Sequence, residues 1–226
     1  MMSANSSSIE QYLRPGRRAH LVGIGGVSMR PLGLVLRSMG MEITGSDMNA
    51  SVATEELQRS GITVYIGHRE ENIEGADCVI RTAAAHNDNP EIAAARAAGI
   101  PIFERAQAWG HLMRSYKNAI CVAGTHGKTT TTSMLTHIFM QAQRDPTVMI
   151  GGSLPLLGAG HRVGRGDTII LESCEYCNSF LNFFPTAAVI LVVAADHLDF
   201  FKDLADVEHS FRAFAALVSE RRFASK

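Results

Sequence analysis

The chain has 226 residues, 46% of them hydrophobic, which is enough to bury one large core or two modest ones in a globular protein. Its 21 basic and 22 acidic side chains leave a formal charge of -1, so no positive excess advertises nucleic acid or an anionic membrane, and neither partner is expected. The N-terminal MMSANSSSIEQYL lacks the apolar core of a signal peptide, and the longest strongly apolar run, AAVILVVAA at 187–195, is far too short to cross a bilayer, so a cytoplasmic protein is expected.

Residues 1–16 read as a polar lead-in ending at RPG. AHLVGIGG then reads as a buried strand entering a glycine turn, and SMRPLGLVLRSMG as a helix closed by Gly40. The alternation continues with a strand at MEITGSD, a helix over 52–59, strands at TVYIG and ADCVIRTAA, a helix at NPEIAAARAAG, a strand at IPIFE and a helix at RAQAWGHLMRS. Strands and helices in this order predict a parallel sheet covered on both faces, an α/β fold of Rossmann-like form over 17–116. The pattern restarts after SYKN with a strand at AICVAG and a long helix over 128–143. A strand at PTVMIGG, a hairpin at LLGAGHRVGRG, strands at DTIILES and AAVILVVAA, and a helix over 204–218 complete the second α/β domain, 117–226.

Of the four cysteines, Cys78 and Cys121 fall in buried strands, where cysteine acts as a small hydrophobe. Cys174 and Cys177 form one C-x-x-C, without the second pair or the spaced histidines of a zinc site, and reduced thiols are the preferred reading over metal or redox chemistry.

GIGGVS places Gly23, Gly25 and Gly26 between a strand and a helix, with Ser28 where the dinucleotide fingerprint has its third glycine. A diphosphate docks on such a turn because no Cβ blocks its approach to the helix N-terminus; the alternative is that the glycines only let helix and strand pack closely. Asp47 ends the next strand, where that fingerprint has its ribose carboxylate. GTHGKTT, Gly124 to Thr130, departs from the strict phosphate-loop pattern because Val122 replaces the first glycine. It keeps Gly124 and Gly127 for the curl of the loop, Lys128 for the β- and γ-phosphates and Thr129 for magnesium. A lysine at a helix N-terminus opposes the helix dipole, and β-branched threonines are mediocre helix formers, so a purely structural role is costly and phosphate binding is favoured.

HLVGIGGVSM, GSD, IGH, DNPEI, AGTHGKTTTT, CEY and ADHLDFF, in this order, resemble the peptidoglycan-precursor amide ligases, the Mur ligase family, over nearly the whole chain. The histidine in GTHGKT and the GIGG start are similar to the branch that joins L-alanine to UDP-N-acetylmuramate. The resemblance implies three domains: one for the UDP-sugar, a P-loop-type central ATPase domain and one that brings the amino acid. It implies an ATP-dependent reaction through an acyl phosphate. Gly23, Ile24, Gly25 and Gly26 would face the UDP diphosphate, with Asp47, His68 and Thr82 near the nucleotide sugar. Gly124, Thr125, His126, Gly127, Lys128, Thr129 and Thr130 would hold ATP, with Lys128 and His126 as catalytic residues. Thr129, Glu175 and His197 would hold Mg2+ or Mn2+, the bland alternative being that Glu175 is a solvated loop acid and His197 a turn residue.

The family's Asn-Ile-acidic run before Asp-His is here VVAADH, with Val192 and Ala194 in place of an amide and a carboxylate, which implies weaker metal binding. The chain ends at SERRFASK, within what the family would make its ATPase domain and before its amino-acid domain. The expectation is therefore nucleotide binding with little ligase turnover by this polypeptide alone, and self-association through apolar surface left uncovered. Two other classes stay open: a non-catalytic UDP-sugar or ATP-binding module, and an NAD(P)-dependent oxidoreductase using GIGGVS.

Overall fold

The computed structural model describes residues 6–223, and the chain divides into two compact units on either side of 108/109. In the first, β1 (Arg18–Val22), β2 (Glu42–Asp47), β3 (Thr63–Ile66), β4 (Cys78–Arg81) and β5 (Ile102–Glu104) form one sheet in the order β3-β2-β1-β4-β5. Every pairing is parallel, and helices α2 (Met29–Ser38), α3 (Val52–Arg59) and α4 (Pro90–Ala97) supply three of the four connections, the link from β3 to β4 carrying only a short 3-10 helix. Chain order reverses beside β1, with β2 on one flank and β4 on the other, and the strand ends there open the crevice in which such sheets bind ligands.

Local chemistry sets the helix starts. Ser51 and Thr54 cap α3 reciprocally, each side chain bonding the other's backbone N-H, and the Asn89 side chain accepts from the N-H groups of Glu91 and Ile92 ahead of α4. Pro90 suits the first turn of α4, whose N-H would be unsatisfied in any case. The lead-in itself carries a helix, α1 (Ser6–Tyr12): Ile9 and Leu13 are buried, and the Tyr12 ring lies 5.9 Å from Phe103. Three apolar side chains among polar neighbours suffice to dock it, a signal too sparse to stand out in the sequence. The division into units falls inside helix α5 (Arg105–Met113).

The second unit orders its strands β10-β6-β9-β7-β8: β6 (Asn118–Ala123), β7 (Thr147–Leu154), β8 (Ala159–Arg162), β9 (Thr168–Glu172) and β10 (Ala187–Ile190). All pairs are parallel except β7 with β8, which is the hairpin expected around LLGAGHRVGRG. Helix α6 (Lys128–Gln141) lays Leu135 and Phe139 on a cluster of Val148, Ile150, Leu154 and Ile170, and α7 (Leu204–Phe223) follows β10. The expected strand over 187–195 stops at Ile190. Within this sheet β10 pairs with β6 alone, and β6 ends at Ala123, ahead of Gly124 at φ 140°; the Thr125 N-H still bonds the Val192 carbonyl, but the regular ladder is over. Among the described residues no helix is long and apolar enough to cross a membrane.

Candidate functional site

Each unit carries a glycine turn at the C-terminal end of its first strand. In the first unit the turn leaves β1 at Gly23, whose φ is +80° and where a Cβ would stand 2.7 Å from Thr82 Cγ2. Only glycine combines that backbone with that approach, so Thr82, beyond β4, is held directly against the turn. The carbonyl of Ser46 accepts from the N-H of Gly23 at 2.8 Å and of Ile24 at 2.9 Å, and Gly26 N-H goes to the Gly23 carbonyl at 3.1 Å. Gly25 N-H donates to Asp47 Oδ2 at 2.9 Å. The turn amides expected to face a diphosphate are thus bonded within the protein, and Asp47 keeps one carboxylate oxygen beyond the bond to Gly25.

His68, just past β3, is tied to the same strand end, since Gly67 N-H bonds the Asp47 carbonyl at 2.8 Å and His68 Nδ1 lies 3.1 Å from Ser46 Oγ. Gly23, Ile24, Gly25, Gly26, Asp47, His68 and Thr82 are therefore gathered at the strand ends flanking the crevice. Glu91, which sequence reasoning gave no role, joins them from α4. Its buried carboxylate receives hydrogen bonds from Ser46 Oγ at 2.6 Å, Asn72 Nδ2 at 2.6 Å and His68 Nδ1 at 2.9 Å. Burial pushes its pKa up, but the nearby His20 ring, 3.6 Å away, and the donors Ser46 and Asn72 outweigh burial and bring it down to about 2, so the group is a carboxylate at neutral pH. DNPEI carried the only signal, a carboxylate in the first turn of a capped helix.

In the second unit β6 runs into Gly124 and the exposed His126 and Gly127, and α6 begins at Lys128. Gly127 stands ahead of the helix at φ 83°, and a Cβ on Gly124 would meet Leu191 Cβ at 2.7 Å. Lys128 Nζ folds back to donate to the Gly124 carbonyl at 2.5 Å, and to Glu175 Oε2 at 3.0 Å. The Glu175 side chain is only 2% exposed, so this is a buried ion pair at the mouth of the loop. Thr129 Oγ1 donates to Glu172 Oε1 at 3.0 Å, and Glu172 Oε2 accepts from Gly151 N-H at 2.7 Å.

Glu172 was missed by sequence reasoning, although it stands at the end of a core strand three residues before Glu175. Of the four consecutive threonines, Thr132 spends its hydroxyl on the Lys128 carbonyl at 2.8 Å, while Thr129 and Thr130 are exposed. Thr125 is fastened to the segment after β10: its N-H bonds the Val192 carbonyl at 2.8 Å, and its Oγ1 accepts from Ala194 N-H at 2.9 Å. His197 adopts φ 51° and packs its ring 4.8 Å from Tyr176, the neighbour of Glu175. The Tyr176 hydroxyl donates to Asp199 at 2.8 Å, and that bond to a carboxylate raises its pKa.

Among the described residues no three His, Cys, Asp or Glu side chains form a metal cage, and none of the four cysteines is in a disulfide. The oxygen donors Thr129, Glu172 and Glu175 nevertheless fit a hard divalent ion that keeps several waters and arrives with substrate phosphates.

Two α/β units, each opening a helix from a glycine turn, one turn carrying a lysine-threonine pair beside a buried and a partly exposed acid, define the class as a two-unit P-loop-like α/β protein. Residues 18–117 match the Mur ligase family, catalytic domain, and residues 122–224 match the Mur ligase middle domain. The chain belongs to the Mur ligase family. It is 48% identical over 202 residues to the UDP-N-acetylmuramate--L-alanine ligase of Clostridium botulinum, strain Hall, covering 89% of this chain and 44% of the relative. The corresponding protein of Acetivibrio thermocellus is 45% identical over 207 residues, 92% of this chain and 44% of its own length. Among solved structures, the UDP-N-acetylmuramate-alanine ligase of Thermotoga maritima superposes with a TM-score of 0.81 at 32% identity, over 88% of this chain and 47% of that one. The chain thus spans less than half the length of the curated relatives it matches.

Proposed function

We propose that this chain supplies the UDP-sugar and ATP sites of a UDP-N-acetylmuramate:L-alanine ligase of peptidoglycan precursor synthesis. The domain over 17–116 takes UDP-N-acetylmuramate at Gly23, Ile24, Gly25, Gly26, Asp47, His68 and Thr82. The domain over 117–226 takes ATP on the loop from Gly124 to Thr130. In the reaction the γ-phosphoryl group passes to the muramoyl carboxylate, giving ADP and an acyl phosphate, and the amine of L-alanine then displaces phosphate.

The observation that carries this reading is the Lys128 ammonium, paired with buried Glu175 and lying over the loop carbonyl of Gly124. A cation beside a helix N-terminus opposes the dipole, and a nearby triphosphate would replace carbonyl and carboxylate as its counter-charge. Lys128 then neutralises charge on the phosphoryl group as it moves, and His126, exposed on the same turn, is placed to contact it. Thr129, with Glu172, Glu175 and His197, would hold magnesium, which when bound neutralises phosphate charge and orients the γ-phosphoryl group. Val192 and Ala194 act through backbone groups in this arrangement, fastening Thr125 and with it the loop.

Calorimetric titration of the chain with ATP and magnesium, and separately with UDP-N-acetylmuramate, tests the two sites. Binding of both, with ATP binding lost in K128A, is the expected result. Binding of NAD(P) in place of the UDP-sugar would overturn the assignment of the first unit.

A further inference from the structure

Glu91 sits as the second residue of α4, so the helix N-terminus favours its charge, yet it is fully buried and faces neither the solvent nor a basic side chain of arginine or lysine type. Its neighbours are polar groups from four directions: Ser46 of β2, His68 after β3, Asn72 of the short 3-10 helix Glu70–Ile73, and His20 of β1, whose Nε2 is 3.6 Å from Oε1. His20 in turn meets Thr44 Oγ1 through Nδ1 at 2.9 Å. Only His68 reaches the surface, with 14% of its side chain exposed.

The hydrogen bonds assign the proton on His68. Nδ1 faces Glu91 Oε2, an acceptor only, and Ser46 Oγ, whose own hydrogen is committed to that carboxylate and which therefore offers a lone pair. Nδ1 must carry the hydrogen. Nε2 of the neutral ring is then left as an acceptor, suited to a hydroxyl or imide N-H of a nucleoside. We propose that Glu91 is a positioning residue that locks His68 in the Nδ1-H form and presents its Nε2 to the nucleoside part of the sugar nucleotide. The inference rests on the reading of the first unit as a UDP-sugar site. A carboxylate serving only to fasten α4 to the sheet would not need a ring at the crevice among its partners.

The test joins imidazole 15N NMR of the chain at pH 8 with calorimetric titration of UDP, applied to the wild type, E91Q, H68Q and the double variant. The wild type is expected to show His68 as the Nδ1-H tautomer, and E91Q, whose amide can donate, to shift it toward Nε2-H. UDP affinity should fall about tenfold in E91Q and in H68Q, the loss of one well-made hydrogen bond, and the double variant should be no worse than either. Where E91Q does not fold, E91D keeps the charge but withdraws it from His68, and mixed tautomers with weakened UDP binding are expected. An Nε2-H tautomer in the wild type, unchanged UDP affinity in E91Q, or losses that multiply in the double variant would each overturn the proposal while UDP still binds. No UDP binding by the wild type, with the tautomer as expected, would overturn the UDP-sugar reading itself and the proposal with it.

Discussion

The two glycine turns are made from the same ingredients and arrive at opposite electrostatics. In the first unit the turn amides are occupied from within, by the Ser46 and Gly23 carbonyls and the Asp47 carboxylate. In the second, an ammonium group is parked on a carbonyl and a buried carboxylate, and the loop must exchange those partners to take a polyanion. The difference teaches that a strand-glycine-helix passage does not by itself fix the electrostatics at its mouth. The first turn offers shape and a carboxylate acceptor, the second a movable charge.

The largest expected effect is that of K128A. Removing the cation should weaken ATP binding by about 100-fold, the order of a lost hydrogen bond to a charged group. It also strands Glu175 as a buried lone charge, at a cost of about 3–5 kcal/mol that chemical denaturation would read. Unaltered ATP affinity would erase the contrast between the turns.

Acid sharpens the first unit's side. The pKa of Glu91 is lowered in the fold from 4.5 to about 2, so its stabilisation is present above pH 4.5 and is lost as pH falls through about 2. Urea melts across that range should show stability falling by about 3 kcal/mol, a loss that E91Q removes.

G23A probes the first turn directly, since alanine meets both an unfavourable φ and the methyl of Thr82. A stability loss of about 1–3 kcal/mol with weakened UDP binding is expected, and ATP binding should be unchanged. E172Q is milder. It loosens the acceptor of Thr129 Oγ1, and ATP affinity with magnesium should drop by about tenfold, less without the metal, by calorimetry with and without chelator. Smallest is the thiol pattern. Burial pushes Cys78 and Cys121 up to about 12, so a thiol reagent at pH 8 should modify the exposed Cys174 and Cys177 and leave the other two unreacted until unfolding.

Most of the fold was legible because strands such as CVIR and TIILE are short runs with an uninterrupted apolar centre, the signature of a parallel sheet buried on both faces. Helix α3 spans the same residues, 52–59, in the sequence reading and in the structure, since Ser51 before it and SG after it mark both ends. Helix α1 was not legible, because its docking depends on Phe103, some ninety positions away, and no local pattern reports that partner. The loop from Gly124 to Thr130 stood out for its odd chemistry, a lysine and four threonines at a helix start. Its supports, Glu172 and Glu175, differ in what they touch and in burial: the partly exposed carboxylate meets a hydroxyl, the buried one an ammonium. Glu91 was hidden because its four polar neighbours come from separate elements scattered over more than fifty residues.

The stitching of Thr125 to Val192 and Ala194 is made wholly of peptide groups on their side, and of the Thr125 N-H and hydroxyl on the other. Peptide groups are common to all residues, so the stitch is indifferent to which side chains stand at Val192 and Ala194. Evolution is thereby free to rewrite those two letters without letting the loop come undone, provided the hydroxyl at 125 stays.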